Sequence, residues 1–259
     1  MFGIGRYFKS HAFDLARRSE RNKYDLGGYF EYGIFERTLC YSSTHNLMYF
    51  KVGRAASTSI IAIMTQLQIG DTAGRISDAA RFVDTAWTLF PKSNICDEVN
   101  FRLFNPGLRR FTVVRNPLDR LCSFYNLLNH TADTPATYPR LRRATDPMRH
   151  NKRIHEESLE DYLQRIIQLP DAEMDEHIRP QASLVRLDQV KYDHICRFEN
   201  LNCDMSEMFT ALDLPSSYLE QFKRPINSSN HVKSGAMIPP ALKRKVEERY
   251  HRDYETFGY

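Results

Sequence analysis

Residues 46–69 read NLMYFKVGRAASTSIIAIMTQLQI, and the order of residue types in that stretch decides the fold class. Asn46 to Val52 is short, apolar and rich in strand formers, so it predicts a β-strand. Gly53 to Ser59 is a run of small residues around one cation, Arg54. Beyond it, apolar residues at 60, 61, 63, 64 and 67 recur at helical spacing and predict a helix with one buried face. Ser57 or Thr58 is the expected N-cap, because a hydroxyl there accepts a hydrogen bond from the first helical turn.

The same strand–turn–helix grammar recurs downstream. Arg110 to Arg115 (RFTVVR) is β-branched and apolar, hence a strand; Asn116 can cap the next helix, Pro117 suits its first position, and Asp119 completes a capping-box-like pattern. Leu118, Leu121, Tyr125 and Leu128 then follow helical spacing. Tyr192 to Phe198 (YDHICRF) is a third strand candidate, between helical patterns at 157–169 and 203–212. Strands alternating with helices predict an α/β fold: a single domain with a central, mostly parallel sheet flanked by helices, with a P-loop-like phosphate site. Residues 1–45 read as an N-terminal extension or cap, and 46–259 as the domain. Residues 130–155, with three prolines, read as a loop or insertion.

Composition narrows the class. The 259 residues are 42% hydrophobic and 12% aromatic, too rich for a disordered chain, and no apolar run approaches the ~18 residues of a membrane span. Lys+Arg 36 against Asp+Glu 32 gives +4, well short of the charge density of a nucleic-acid binder, so no nucleic-acid partner is expected. Positive charge gathers locally at Arg140, Arg142, Arg143, Arg149, Lys152 and Arg153, which suits either a solvated loop or a contact for an acidic acceptor. Five scattered cysteines without a C-x-x-C pair predict neither a metal site nor a disulfide framework. The opening residues lack a signal-like apolar core, so a cytoplasmic setting is expected.

The chemistry is expected beyond the carboxyl ends of the strands, where ligands bind in open parallel sheets. There the 53–59 loop brings backbone N–H groups and a helix N-terminus together, with Arg54, Ala55, Ala56, Ser57, Thr58 and Ser59 as candidate anion ligands; a plain packing turn uses the same residues. The loop lacks the glycines and the lysine of G-x-x-x-x-G-K-[ST], which weakens a kinase or GTPase reading. In the second motif, Arg115 at a strand end and Ser123 two helical turns on can clamp another phosphate. Pairing of Arg115 with Asp119 is the alternative.

Together, AASTSI and FTVVRNPLDRLCSFYN resemble the two cofactor signatures of the sulfotransferase superfamily, specifically its carbohydrate-type branch. The stretches DEHIRPQ (175–181), YDHICRFENL (192–201) and the ending ERYHRDYETFGY are similar to further elements of that family, in the expected order. The resemblance implies 3′-phosphoadenosine 5′-phosphosulfate as donor, with the 5′-phosphosulfate at the first loop, the 3′-phosphate at Arg115 and Ser123, and no metal. It implies a carbohydrate, polysaccharide or lipid-linked sugar acceptor, with peripheral membrane contact compatible. The 227–231 loop resembles a late cofactor segment, giving Ser228 and Ser229 as candidate contacts; a turn cluster is the other reading.

One departure stands out: family members generally have Lys four residues before the loop Thr, and Arg54 occupies that place here, with Lys51 three residues earlier. Arg54 is the expected substitute for the lysine. A general base is expected to accept the acceptor's proton. His177 leads, either as that base or as a structural partner of Asp175, and Glu98, Asp97 and His130 remain candidates. A nucleotide-binding protein of this fold with weak or no turnover is the alternative function.

Overall fold

The computed structural model describes residues 39–42, 44–69, 107–130, 157–188, 190–223 and 238–259. Four strands form one sheet in chain order: β1 (Leu39–Ser42), β2 (Leu47–Phe50), β3 (Arg109–Val114) and β4 (His194–Arg197). β2, β3 and β4 run parallel, and β1 pairs antiparallel along the outer edge of β2. Every residue of β2 is buried, as are Phe111 to Val114 of β3, which is the burial expected of strands covered on both faces. The fold is thus a single α/β domain with a mostly parallel sheet flanked by helices.

β1 falls inside residues 1–45, a stretch whose sequence showed no legible strand. It is short, and what holds it is not local. Its register with β2 is set by a tight turn in which Asn46 adopts φ 47, a left-handed conformation that asparagine tolerates better than most residues. Tyr41 donates to the Asn46 side chain, and the Ser42 hydroxyl donates to Leu67 O at the far end of the following helix.

Helix α1 (Ser57–Ile69) leaves the end of β2, and α2 (Pro117–His130) leaves the end of β3. α1 is buried on more than the one face expected: Ala62 and Thr65 join Ile60, Ile61, Ile63, Met64 and Leu67 in the core. The Thr65 hydroxyl is satisfied by Ile61 O at 2.8 Å, so its burial leaves no orphaned donor. α2 behaves as read, with Asn116 Oδ1 accepting from Asp119 N–H and Pro117 in the first turn. Only half the capping box forms, because Asn116 N–H goes to Glu199 Oε1 instead of to Asp119.

α3 (Leu159–Gln168), the short α4 (Gln181–Leu184) and α5 (Leu201–Ala211) follow, then α6 (Pro240–Arg249) and α7 (His251–Phe257). Val246, Tyr250 and Phe257 are core residues, and the helical run from Pro240 is interrupted at Tyr250, which separates α6 from α7. Two apolar clusters result. The first joins the sheet to α1 and α5; the second joins α2, α3 and α6. Only α2 to His130 is described of the expected 130–155 loop. No helix among the described residues is long and apolar enough to cross a membrane.

Candidate functional site

The loop between β2 and α1 is held in an unusual backbone conformation. Arg54 has φ 68 and Ala56 has φ 56, two left-handed non-glycine residues in three positions. α1 begins at Ser57, and Ala56 fills the cap position, its carbonyl accepting from Ile60 N–H. The expected hydroxyl cap at Ser57 or Thr58 is therefore absent. Among the described residues, no hydrogen bond is made by the N–H groups of Ala56, Ser57, Thr58 or Ser59. An alanine cap offers them no acceptor, so they remain available to an outside oxygen.

Three arginines converge on this loop. Arg54 donates through Nε and Nη2 to Ser123 Oγ, at 3.2 and 2.8 Å, which links the two motifs directly. Arg115 donates to Arg54 O at 3.1 Å and lays its guanidinium 4.3 Å from the centre of the Phe198 ring. Arg120 donates to Gly53 O. None of the three pairs with a carboxylate within salt-bridge distance among the described residues, so Arg115 does not bond Asp119. Burial, with Arg115 and Arg120 as neighbours, lowers the Arg54 pKa to about 10. Burial likewise lowers Arg115, despite the opposing pull of Asp119 and Glu199. Such concentrated positive charge in low dielectric favours an anionic occupant.

The backbone around Arg115 is fixed from a distance. Gln181 accepts from Arg115 N–H through Oε1 at 2.9 Å and donates to Arg115 O through Nε2 at 2.7 Å, extending the strand's end with a side chain. Asp253 of α7, itself fully buried, accepts from Gln181 N–H and Ala182 N–H and so caps α4. Glu199 meets Asn116 N–H and accepts from the Tyr259 hydroxyl at 3.0 Å.

His177 sits beside the first loop. Its Nδ1 lies 2.5 Å from Asp175 Oδ1, which also accepts the His177 backbone N–H, and its ring stacks on Phe124 at 4.9 Å and 4°. Gly53 is needed here for close approach: a Cβ at that position would lie 2.7 Å from His177 Cδ2. With Nδ1 turned to the carboxylate, the Nδ1–H tautomer leaves Nε2 as a proton acceptor. Lys51 is directed elsewhere, its Nζ 3.4 Å from Glu176 Oε1.

The structure therefore brings together Arg54, Ala55 to Ser59, Arg115, Ser123 and His177. Glu98, Asp97, Ser228 and Ser229 lie outside the described residues, as does the His130 side chain. Gly53, Arg120, Phe124, Gln181, Glu199 and Asp253 belong to the site although no role for them was read from the sequence. Several lie in the motif stretches quoted above, which was the only signal available for them. Among the described residues there is no cluster of three or more His, Cys, Asp or Glu suited to a metal.

These features define an α/β protein whose buried arginines, unpartnered loop N–H groups and braced histidine gather at the carboxyl ends of adjacent parallel strands, where ligands bind in such sheets. A family model described as the sulfotransferase family matches residues 37–259, and the chain belongs to that family. No curated protein and no solved structure matches it.

Proposed function

We propose that the protein is a sulfotransferase that uses 3′-phosphoadenosine 5′-phosphosulfate and acts on a hydroxyl of a carbohydrate or glycoconjugate. The observation that supports this most is the pairing of an open N–H loop with unneutralised Arg54 and Arg115 around Ser123. That donor set fits a group bearing anions at two separated positions. When bound, the donor supplies an activated sulfuryl group and a 5′-phosphate leaving group.

In this reading the N–H groups of Ala56 to Ser59, with the Ser57, Thr58 and Ser59 hydroxyls, hold the 5′ anion, and Arg115 and Ser123 hold the 3′-phosphate. Arg54 lies between the two positions and stabilises charge on the leaving oxygen. These donors are in place beforehand, so they need little reorganisation as charge develops. His177 takes the acceptor's proton at Nε2 while Asp175 stabilises the imidazolium that forms. A cytoplasmic setting is part of this reading; among the described residues Cys40, Cys122, Cys196 and Cys203 are free thiols.

The test is transfer of labelled sulfate from the donor to a panel of oligosaccharides and lipid-linked sugars. Transfer that is abolished by His177→Asn, with nucleotide binding retained, is the expected result. Tight binding of adenosine 3′,5′-bisphosphate without any transfer would instead favour a nucleotide-binding protein with weak turnover. That second reading has one specific observation behind it: Arg54, standing where the family has lysine, is bonded to Ser123. ATP and Mg²⁺ in a thermal-shift series address a kinase reading.

A further inference from the structure

We propose that Arg120 is a positioning residue that sets His177 against the phosphate loop by gripping three backbone carbonyls. The proposal rests on the reading of His177 as the base. Arg120 is fully buried in α2. Its Nε donates to Gly53 O at 2.9 Å, Nη1 to Arg179 O at 2.8 Å and Nη2 to Glu176 O at 2.8 Å. The first carbonyl belongs to the phosphate loop, immediately before Arg54. The other two belong to the turn that presents His177, on either side of it.

The contacts of the imidazole converge with this grip. Phe124, one turn beyond Arg120 on the same helix, stacks on the ring, and Gly53 abuts its edge. A single stretch of α2 thus supports the His177 ring and ties its flanking backbone to the loop it must face. The charged groups around that turn include Asp175 on Nδ1, Glu176 with Lys51, the buried Arg179, whose Nη2 donates to Met174 O, and Arg54 and Arg120 from the loop and α2.

Packing alone does not explain an arginine here. Arg120 makes no salt bridge among the described residues, and although the charges of Asp253 and Asp175 favour it, burial lowers its pKa; an apolar side chain would fill the same volume without that desolvation. Three carbonyls in separate directions match a planar fork of N–H donors, which neither an ammonium nor an apolar group reproduces. The function such a fork serves is geometry: it fixes the spacing between two segments more than a hundred residues apart, Gly53 and Glu176–Arg179.

The experiment reads the tautomer of His177 by ¹⁵N-histidine NMR and, separately, affinity for adenosine 3′,5′-bisphosphate by calorimetry. Wild type is expected to show one Nδ1–H tautomer. Arg120→Lys keeps the charge but loses the fork; it is expected to show mixed tautomers while binding the nucleotide within about threefold of wild type. An unchanged tautomer, or a changed tautomer together with nucleotide affinity reduced more than about tenfold, overturns the proposal. A second measurement needs no arginine variant and decides the matter if Arg120→Lys does not fold. In His177→Asn the Arg120 Nε–H resonance is expected to shift from its wild-type position, and an unmoved resonance overturns the proposal. Failure of wild type to bind the nucleotide would count against the donor assignment alone, because both NMR readings are made on nucleotide-free protein.

Discussion

The loops at the ends of β2 and β3 are neighbours in the sheet, yet they treat their backbones in opposite ways. After β2, Arg54 and Ala56 are left-handed and the N–H groups of Ala56 to Ser59 have no described partner. After β3, Arg115 N–H is met by Gln181, Asn116 N–H by Glu199 and Asp119 N–H by the Asn116 side chain. The first loop leaves its main-chain donors without a described partner. The second has spent these amides on its own support, so under the proposed function its contacts to a ligand would be made by side chains. A site read through main-chain donors tolerates side-chain truncation, whereas one read through an arginine and a serine does not.

Four experiments press on that contrast. The largest effect is expected from Asp253→Ala, which leaves the Gln181 and Ala182 N–H groups without their buried acceptor. Unfolding free energy should drop by roughly 2–6 kcal/mol in a denaturant titration, and nucleotide affinity should fall too, because the support of Arg115 is lost. Next, Arg115→Ala should weaken adenosine 3′,5′-bisphosphate binding by about 100-fold, against less than about tenfold for Thr58→Ala. Equal losses in calorimetry would erase the distinction between main-chain and side-chain sites.

A pH series probes Arg54. Its folded pKa is lowered to about 10, so its charge opposes folding at neutral pH and that cost is relieved as pH rises through about 10. An anion favours the charged form, so wild-type nucleotide affinity should fall as pH rises past about 10, by up to about tenfold per unit. Arg54→Gln should bind more weakly at pH 8 and lack that limb; an identical pH profile in both proteins would remove Arg54 from the anion site. The smallest effect belongs to Ala56→Gly. Glycine relieves about 1 kcal/mol of left-handed strain but loosens the unfolded chain by nearly as much. Melting temperature should barely move and nucleotide affinity should stay unchanged; a marked loss of affinity would show that the alanine methyl matters to the ligand.

What was legible in the sequence follows from how local each cause is. β2, β3 and β4 lie within two residues of their expected ends, because alternating apolar and turn residues report burial over a short window. β1 was illegible because its pairing depends on the Asn46 turn and on β2, not on LCYS itself. The cap of α1 departs from propensity for an instructive reason: a hydroxyl is expected to satisfy the first turn, and this loop leaves that turn unsatisfied. Arg54, Arg115, Ser123 and His177 stand in motifs that nominate them as candidates, and the structure brings them together. The work of Arg120, Gln181 and Asp253 was not, since their partners lie 56 or more residues away.

The grip of Asp253 on α4 also bears on synthesis. A nascent chain that has emerged as far as residue 200 contains the loops after β2 and β3, His177 and all four described strands, but not α7. Until residue 253 leaves the ribosome, Gln181 lacks its brace and the end of β3 lacks its final geometry. The proposed site should therefore mature late in translation, with any nucleotide-dependent protection from protease appearing only when α7 has cleared the exit tunnel.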